Sequence, residues 1–376
     1  MKRLLLSLVT LGALCGLWGG SFSRAAALLL DQTPAPAAAD PYQYFRLGAP
    51  TDIHVHPRAG YALMGGGTDI DEAFLWLCNH ADGGDFLVLR ASGTDAYNPY
   101  IEPLCHLNSV ATLIIPTRDA ANDPFVAKTI TDAAAIFISG GDQGKYVGNW
   151  AHSPVETALR DAVRRGVPIG GTSAGLAVLG QYIYSAQNDK HDDSDLTSGK
   201  ALADPFYRQV VIAPDLLGIP ILRGIITDTH FDTRQREGRL LVFMARILAS
   251  GQAKTIRAIG VDERNAVLVD PDGHAQVIGK AGGEAAFYQA SGKPQQCEPG
   301  KRLIFDSIAK RVVATGKTFN LRRWQGDGPA VGLSVHGTRV IAAMNALPVT
   351  QGKFISVLAA SYLTGTQLTA FSLTAF

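Results

Sequence analysis

The sequence predicts an α/β protein in which a mostly parallel β-sheet is covered by helices on both faces. Short apolar, strand-like runs recur along the chain, at residues 61–64, 86–89, 110–115, 135–138, 167–169 and 258–261, and residues 225–231 form a further predicted strand that ends in a histidine. Segments with helical spacing of apolar residues separate many of them, at residues 70–80, 123–130, 155–163 and 240–248. A strand that is apolar on both sides is buried on both faces, and its alternation with helices is typical of a parallel sheet. In such sheets, ligands bind beyond the carboxyl ends of the strands.

Composition divides the chain into further regions. We predict that residues 26–55 form a flexible leader, because they include a stretch rich in alanine, proline and polar side chains. Residues 56–280 hold the strand–helix alternation and form the predicted α/β domain, which ends in a hairpin. Residues 281–376 predict a β-rich C-terminal annex with a helix around residues 337–345. Within the domain, the charged segment 184–203 predicts a solvated loop near the mouth of a site.

The first 25 residues have the pattern of a secretory signal peptide. A basic start at Lys2 and Arg3 precedes an apolar stretch over residues 4–18, and small residues around Ala25 offer a cleavage site. A retained membrane anchor is the alternative. A lipoprotein fits less well, since Cys15 follows a leucine rather than a small residue. We therefore expect a secreted or periplasmic protein with no membrane contact once residues 1–25 are removed.

The composition argues against nucleic acids, metals and cofactors as partners. Cleavage of the signal peptide would remove three basic residues and no acid, so the formal net charge would change from +1 to −2. This charge gives no basis for binding nucleic acid. His54-x-His56 is the one close pair of histidines and lacks a nearby third ligand. Gly140-Gly141 could begin a phosphate loop, but no Gly-x-Gly-x-x-Gly or Lys-Ser/Thr pattern accompanies it.

Three cysteines lie outside the predicted signal peptide, at positions 78, 105 and 297. An exported protein meets an oxidising compartment, so one disulfide is expected, and we assign it to Cys78 and Cys105. No Cys-x-x-Cys pair is present in the sequence.

One serine has the context of an enzymatic nucleophile. Gly171-x-Ser173-x-Gly175 follows the apolar run at residues 167–169 and precedes a helix-like stretch at residues 176–179. This is the spacing of a nucleophile elbow, in which the serine lies on a strained strand-to-helix turn and a Cβ on its neighbours would clash. An ordinary glycine- and serine-rich turn is the alternative.

A catalytic serine needs a base that takes its proton and an acid that orients the base. Among nine histidines, His230 is the one that ends an apolar strand and is followed by a structured charged turn. Asp262 or Glu263, at the end of the next predicted strand, can supply the acid. The resulting chain order of serine, histidine and acid differs from the order in α/β-hydrolases.

Residues 228–239 combine a helix start with a concentration of arginines. Asp232 and Gln235 are candidates to cap the helix that follows. Arginines at positions 234, 236 and 239 would oppose the dipole of that helix, and residues that break a local rule often serve function. The alternative is a set of ordinary surface arginines.

Four motifs resemble those of the cyanophycinase group of serine peptidases, which is related to peptidase E, an aspartyl dipeptidase. In order, they are Gly140-Gly141-Asp142-Gln143, Gly171-Thr172-Ser173-Ala174-Gly175, Asp228-x-His230-Phe231-x-x-Arg234-x-Arg236-x-x-Arg239 and Gly260-Val261-Asp262-Glu263. The resemblance covers residues 61–270 and implies a glutamine-amidotransferase-like α/β fold. One difference is Thr229, which stands where the cyanophycinase pattern has glutamine.

The resemblance implies a role for each residue of the site. Ser173 would be the nucleophile, His230 the base and Glu263 the acid that orients it. The backbone N–H groups of Gly141 and Ala174 would form the oxyanion hole. The side chains that match the substrate pocket of the family are Gln143, Asp228, Arg234, Arg236 and Arg239. Guanidinium groups there could hold the free carboxylates of a polyaspartate backbone in paired hydrogen bonds.

We therefore predict an exported serine peptidase that cleaves bonds at aspartyl residues through an acyl-enzyme, without metal or cofactor. The resemblance implies cyanophycin as the substrate, an aspartate backbone with arginine on its β-carboxyl groups, and β-aspartyl-arginine dipeptides as the product. One alternative is a peptidase E-like or isoaspartyl dipeptidase acting on short peptides. Another is a non-catalytic binding protein of the same fold. A homodimeric assembly is left open.

Overall fold

The computed structural model describes residues 40–187 and 195–342. A ten-stranded sheet contains β1 (Gln43–Gly48), β2 (Tyr61–Met64), β3 (Asp85–Arg90), β4 (Ser109–Ile114), β5 (Ala135–Ile138), β6 (Ile169–Thr172), β11 (Asn265–Val269), β12 (His274–Gly279), β15 (Thr318–Asn320) and β16 (Gln325–Gly326). An eight-stranded sheet contains β7 (Tyr182–Tyr184), β8 (Ile212–Pro214), β9 (Ile225–Asp228), β10 (Thr255–Val261), β13 (Glu284–Ser291), β14 (Ile304–Ala314), β17 (Ala330–His336) and β18 (Arg339–Ala342).

Helices connect many of these strands. They are α1 (Asp71–His80), α2 (Tyr97–Ile101), α3 (Arg118–Ala121), α4 (Pro124–Asp132), α5 (Gln143–Trp150), α6 (Pro154–Arg165), α7 (Ala174–Ala177), α8 (Ser198–Ala203) and α9 (Glu237–Ala249). In α6, the Ser153 side chain accepts a hydrogen bond from the Val155 N–H, and Gly166 ends the helix with φ 78°. A serine cap, a proline in the first turn and a left-handed glycine after the last turn stabilise both ends of a helix. No helix in the described ranges is long and apolar enough to cross a bilayer.

The α/β class is confirmed, and the pairing of the strands is mixed. In the ten-stranded sheet, β4, β3, β5, β6 and β2 are parallel neighbours in that order. In the eight-stranded sheet, β7, β9 and β10 are parallel. The other pairings of these two sheets are antiparallel, because hairpins such as β11–β12 return the chain along the same sheet.

Helices cover both faces of the ten-stranded sheet. Along β3, Phe86 and Val88 pack into a cluster with Phe74 of α1, whereas Leu87 and Leu89 pack into a second cluster with Leu159 of α6. Successive side chains of a strand point to opposite faces, so the continuously apolar sequence of β3 buries both faces. The cluster on the α6 face also includes residues of β10 and β13, so the two sheets share a core.

The structure corrects the predicted leader. Gln43–Gly48 lies within the segment expected to be flexible, yet it forms β1 and pairs antiparallel with β4 at the edge of the sheet. The Arg46 guanidinium donates a hydrogen bond of 2.8 Å to Asp85, at the start of β3. Phe45 and Leu47 of this edge strand are exposed, so β1 lacks the continuous buried apolar run by which the inner strands were predicted.

The segment expected to be a solvated loop is also corrected where it is described. Tyr184 ends β7 and is buried, and Ser198–Ala203 forms α8, in which Ala201 and Leu202 are buried. The apolar side chains of α8 pack with α9, a contact between distant parts of the chain that a charged composition concealed. Residues 188–194 of this segment lie outside the described residues.

Strands that follow residue 280 extend the existing sheets. β13 pairs with β10 along its length, and β15 pairs with β12. The helix predicted around residues 337–345 is wrong for its described part, since Arg339–Ala342 forms β18. Gly337 has φ 68° and makes the tight turn back from β17, and the β-branched Val340 and Ile341 favour a strand. The predicted signal peptide, residues 1–25, lies outside the described residues.

The predicted disulfide is confirmed. Cys78 of α1 is bonded to Cys105, with the two Cα atoms 6.0 Å apart. The bond ties α1 to the segment that follows α2. Cys297 is a free thiol.

Candidate active site

The carboxyl ends of parallel strands from both sheets meet at one site. β6 leads into Ser173 and β5 into Gly140-Gly141, while β2 leads into the glycines at 65–67. From the other sheet, β9 is followed by His230 and β10 by Glu263. This is the edge at which α/β sheets bind ligands, because the loops that follow the strands converge there.

Ser173, His230 and Glu263 form a continuous chain of hydrogen bonds. Ser173 Oγ lies 2.7 Å from His230 Nε2, and His230 Nδ1 lies 2.6 Å from Glu263 Oε1. When Nδ1 carries the ring proton and donates a hydrogen bond to the Glu263 carboxylate, Nε2 is unprotonated and can accept the serine proton. The imidazole is buried, and the His230 backbone N–H donates a 2.8 Å hydrogen bond to Gly65 O.

The elbow around Ser173 is strained and depends on its glycines. Ser173 has φ 52° and ψ −116°, a backbone conformation that residues with a side chain rarely adopt. A Cβ on Gly171 would lie 2.6 Å from the Gly175 carbonyl carbon, and one on Gly175 would lie 1.9 Å from Ile138 O. These contacts explain the Gly-x-Ser-x-Gly spacing, because no larger residue fits at either glycine.

Two further glycines make room for the histidine and the acid. A Cβ on Gly66 would lie 2.5 Å from His230 Cε1, and one on Gly67 would lie 3.0 Å from the Glu263 Cβ. Both residues have positive φ values, 102° and 75°. We predicted no role for them from the sequence, although three consecutive glycines at the end of β2 were the available signal.

Of the two acids left open by the sequence, Glu263 contacts His230, and Asp262 has a different role. Asp262 Oδ1 accepts hydrogen bonds from the backbone N–H groups of Asp232 and Thr233, at 3.0 and 2.8 Å. Lys280 Nζ lies 3.0 Å from its other oxygen. Burial acts to raise the pKa of Asp262, but the Thr233 and Lys280 hydrogen bonds outweigh it and bring this pKa to about 2. Asp262 therefore holds the turn after His230.

The environment of His230 favours the neutral imidazole. Burial is the main cause that lowers the pKa of His230, and the positive charges of Arg234 and Arg236 lower it further. The hydrogen bond to Glu263 acts in the opposite direction and does not fully compensate. A neutral imidazole is the form that can act as a base.

The three arginines predicted to bind substrate differ sharply in burial. Arg239 is 2% exposed, and its Nε and Nη2 donate hydrogen bonds of 2.8 and 2.6 Å to the two oxygens of Asp228. Its guanidinium also lies over the Tyr184 ring, 5.0 Å from the centroid. Asp228 is itself buried, so Arg239 and Asp228 form an internal ion pair beneath the site.

Arg236 and Arg234 share one carboxylate. Arg236 is largely buried and donates to Thr229 O at 2.9 Å and to Asp195 Oδ2 at 2.8 Å. Arg234 is 45% exposed and donates to the same Asp195 oxygen at 2.9 Å. Asp195 was not singled out from the sequence, since it lies in a run of acidic residues that gave no individual signal.

The predicted helix cap at Asp232 and Gln235 is wrong. α9 begins at Glu237, and no side chain caps it at Arg236. Ser198 of α8 instead accepts a hydrogen bond from the Arg239 N–H at 3.2 Å. The orphan donors of the first turn are therefore satisfied in part by a distant residue.

A cavity of 710 Å³ opens over Ser173. Gly141 and Ala174, the predicted oxyanion-hole residues, line it together with Gln143, Lys145, Asp195, Thr229, His230, Arg234, Arg236 and Arg239. Asp228 is not part of this lining. Within the described ranges, no three histidine, cysteine, aspartate or glutamate side chains are grouped so that they could hold a metal ion.

Comparisons with known proteins agree with the four motifs. The model of Peptidase family S51 matches residues 91–277. The chain is 26% identical over 260 residues to a cyanophycinase of Geminocystis herdmanii (strain PCC 6308), covering 65% of this chain and 87% of the relative. It is 30% identical over 218 residues to a cyanophycinase of Trichormus variabilis (strain ATCC 29413 / PCC 7937), covering 56% of this chain and 65% of the relative.

Among solved structures, a peptidase from an acI-B1 Actinobacterium is similar, with 16% sequence identity and a TM-score of 0.46. The match covers 70% of this chain and 98% of that chain. The resemblance to the cyanophycinase group, first seen in four motifs, is confirmed by the family match and the two relatives.

Proposed function

We propose that this protein is an exported cyanophycinase that acts through Ser173, His230 and Glu263, and the match of residues 91–277 to Peptidase family S51 supports this proposal. The family match supports a serine-type peptidase. The hydrogen-bond chain Ser173–His230–Glu263 is the observation that carries the proposal for the catalytic residues. It supplies a nucleophile, a neutral base and an orienting carboxylate in the required order.

The proposed reaction proceeds in two steps. Ser173 Oγ attacks the scissile carbonyl carbon while its proton moves to His230 Nε2, and the negative charge that develops on the carbonyl oxygen is held by the Gly141 and Ala174 N–H groups. The tetrahedral intermediate collapses, the C–N bond breaks, and the amine leaves with the proton from His230. A water molecule then gives a proton to His230 and attacks the acyl-enzyme. The bond to Ser173 Oγ breaks, His230 returns the proton to this oxygen, and the new carboxylic acid leaves as its carboxylate.

The charge of the cavity supports a substrate rich in carboxylates. Arg234 is the most exposed of the three arginines, and the exposed Lys145 lines another part of the cavity. In cyanophycin the backbone carboxyl groups are all bonded, so cations at the site would pair with the free α-carboxylates of its arginine units, which Asp195 would otherwise repel. The two relatives described above carry the name cyanophycinase. Thr229 stands where the cyanophycinase pattern has the larger glutamine, and because of this difference short aspartyl peptides are the alternative substrates.

Export is part of the same proposal. The Cys78–Cys105 disulfide supports it, because disulfides persist in oxidising compartments and are rare in the cytosol. N-terminal sequencing of protein recovered from the periplasm or culture medium tests it, with cleavage after Ala25 expected. Recovery of the intact N-terminus from the cytosol alone would contradict it.

The decisive experiment compares the parent protein with Ser173→Ala. Both are incubated with cyanophycin, with α-aspartyl dipeptides and with isoaspartyl dipeptides, and the products are separated by chromatography. We expect β-aspartyl-arginine from the parent, and a loss of several orders of magnitude in Ser173→Ala at unchanged thermal stability. Turnover of dipeptides alone would replace cyanophycin as the substrate. Residual activity within about tenfold of the parent would move the nucleophile elsewhere.

Labelling with a fluorophosphonate separates an enzyme from a binding protein. A fluorophosphonate forms a covalent bond with an activated serine, so the parent should be labelled at Ser173 and Ser173→Ala should not. Absence of labelling together with retained cyanophycin binding would favour the non-catalytic alternative.

A further inference from the structure

Two buried hydroxyl groups hold the Gly140 carbonyl. Tyr146 Oη donates to Gly140 O at 3.2 Å and to Ser139 O at 3.0 Å, and Ser139 Oγ donates to Gly140 O at 3.0 Å. Both side chains belong to residues that are 1% exposed. The proposed reaction itself makes no use of either hydroxyl.

This carbonyl belongs to the peptide bond that carries the Gly141 N–H. In a trans peptide, the C=O and the N–H point in opposite directions, so fixing one fixes the other. Gly141 lines the cavity, and a Cβ on Gly140 would lie 3.5 Å from the Ser173 Cβ, which places this peptide beside the nucleophile. Tyr146 and Ser139 are buried, so their hydrogen bonds hold the carbonyl toward the protein interior and turn the N–H away from it.

Such a restraint matters because the peptide lies between two glycines. Gly141 has φ 148°, in the region that residues with a side chain rarely adopt, and glycine pairs rotate easily when nothing restrains them. An oxyanion-hole donor is effective only when it is already aimed at the position of the developing charge.

The Tyr146 hydroxyl is itself well fixed. Its ring stacks on Trp150 with the centroids 4.4 Å apart, and Trp150 Nε1 donates to Ile115 O at 3.2 Å. Burial raises the pKa of Tyr146 to about 12, so the hydroxyl keeps its proton throughout the neutral range.

We propose that Tyr146, together with Ser139, is a positioning residue that orients the Gly141 N–H for stabilisation of the oxyanion. The inference rests on the proposed function, because it assigns a role within the same site. Neither side chain touches the reacting atoms; both act through the Gly140–Gly141 peptide.

The test is Tyr146→Phe, which removes one oxygen and keeps the ring that packs on Trp150. Loss of a whole oxyanion-hole donor costs about 10²–10³ in kcat, so a donor that is present but no longer held should cost roughly tenfold. We expect kcat on a β-aspartyl-arginine oligomer to fall by about this factor, with KM within about twofold of the parent. Tyr182→Phe is the matched control, since Tyr182 is buried and also donates to a backbone carbonyl, that of Gln252, outside the cavity lining.

An aldehyde inhibitor separates orientation of the hole from a general structural effect. An aspartyl aldehyde forms a hemiacetal with the serine, whose oxygen occupies the oxyanion position, whereas the corresponding alcohol does not. In Tyr146→Phe, the affinity for the aldehyde should fall by the same factor as kcat, and the affinity for the alcohol should stay constant. Unchanged kcat, or equal losses for aldehyde and alcohol, would overturn the proposal.

Ser139→Ala provides a second variant in case Tyr146→Phe does not fold. It should lower kcat in the same direction at constant KM, and an unchanged kcat in this variant would overturn the inference on its own. The failure of this inference can be told apart from the failure of the proposed function. If Ser173→Ala abolishes activity but Tyr146→Phe and Ser139→Ala keep the parental rate, the proposed function stands and only this inference is wrong.

Discussion

Replacement of Arg239 by lysine tests whether this arginine serves the fold or the substrate. The guanidinium donates to both oxygens of Asp228, and the two side chains are 2% and 3% exposed. Lysine keeps the charge but has no planar pair of donors, so it can replace only one of these two bonds. The structure therefore predicts a loss of stability, where the resemblance to the family predicts a loss of substrate binding.

The expected size follows from the bond that disappears. A hydrogen bond between charged groups contributes about 1.5–3 kcal/mol, and leaving Asp228 partly unpaired in a buried position adds to that cost. We expect the free energy of unfolding to fall by about 3 kcal/mol. At roughly 2 °C per kcal/mol for a protein of this size, the melting temperature should fall by about 6 °C.

Arg234→Lys is the matched control for this experiment. Arg234 is 45% exposed and donates a 2.9 Å hydrogen bond to Asp195, so the melting temperature of this variant should differ from that of the parent by less than about 1 °C. Its kcat/KM on a β-aspartyl-arginine oligomer should fall about tenfold, and its rate on a minimal ester without carboxylates should stay constant.

The assays are thermal unfolding followed by circular dichroism and kinetics on both substrates. Arg239→Lys should show the shift in melting temperature, with similar changes in kcat/KM for the two substrates. An unchanged melting temperature together with a loss confined to the carboxylate substrate would refute the structural role of Arg239 and return it to the substrate site.

The remaining predictions concern the acids, the pH dependence and the disulfide. Glu263→Gln should lower kcat by about 10³–10⁴ at unchanged melting temperature. Asp262→Asn should mainly lower the melting temperature, because Asp262 holds the turn at residues 232–233. The reverse pattern would exchange the roles of the two acids. The pKa of His230 is lowered, and catalysis needs the neutral imidazole, so activity should persist as the pH falls below the ordinary histidine value of 6.5 and be lost only near the lowered pKa. Arg234→Gln removes a charge that lowers this pKa, so the acid limb of kcat/KM on the minimal ester should move to higher pH, and a shift to lower pH would contradict the assignment of His230 as the base. Reduction of Cys78–Cys105, which closes a loop of 27 residues, should cost roughly 3 kcal/mol of stability and leave kcat at 25 °C unchanged; a parallel loss of kcat would mean that α1 supports the site.

The sequence alone determined much of the site, because the chemistry there depends on local backbone geometry. Gly171 and Gly175 flank Ser173 at the one spacing that the elbow tolerates, and the structure shows the clashes that any Cβ would cause. His230 stands out because it follows a buried strand, and the carboxyl ends of parallel strands meet at one edge. Periodicity also predicted the buried strands β2 to β5 and the helix α6. Ser153 and Gly166, which cap α6, directly flank this helix in the sequence.

Only the tertiary structure decided between residues that look equivalent along the chain. Asp262 and Glu263 are adjacent acids, but successive side chains near a strand end point in different directions, so one holds a turn and the other reaches His230. Arg234 and Arg239 belong to one motif, yet the buried partner Asp228 makes the second an internal ion pair. The strand β1 and the helix α8 were missed for the same reason: both pack against partners far away in sequence, and contacts of that kind leave no periodic pattern in a short segment.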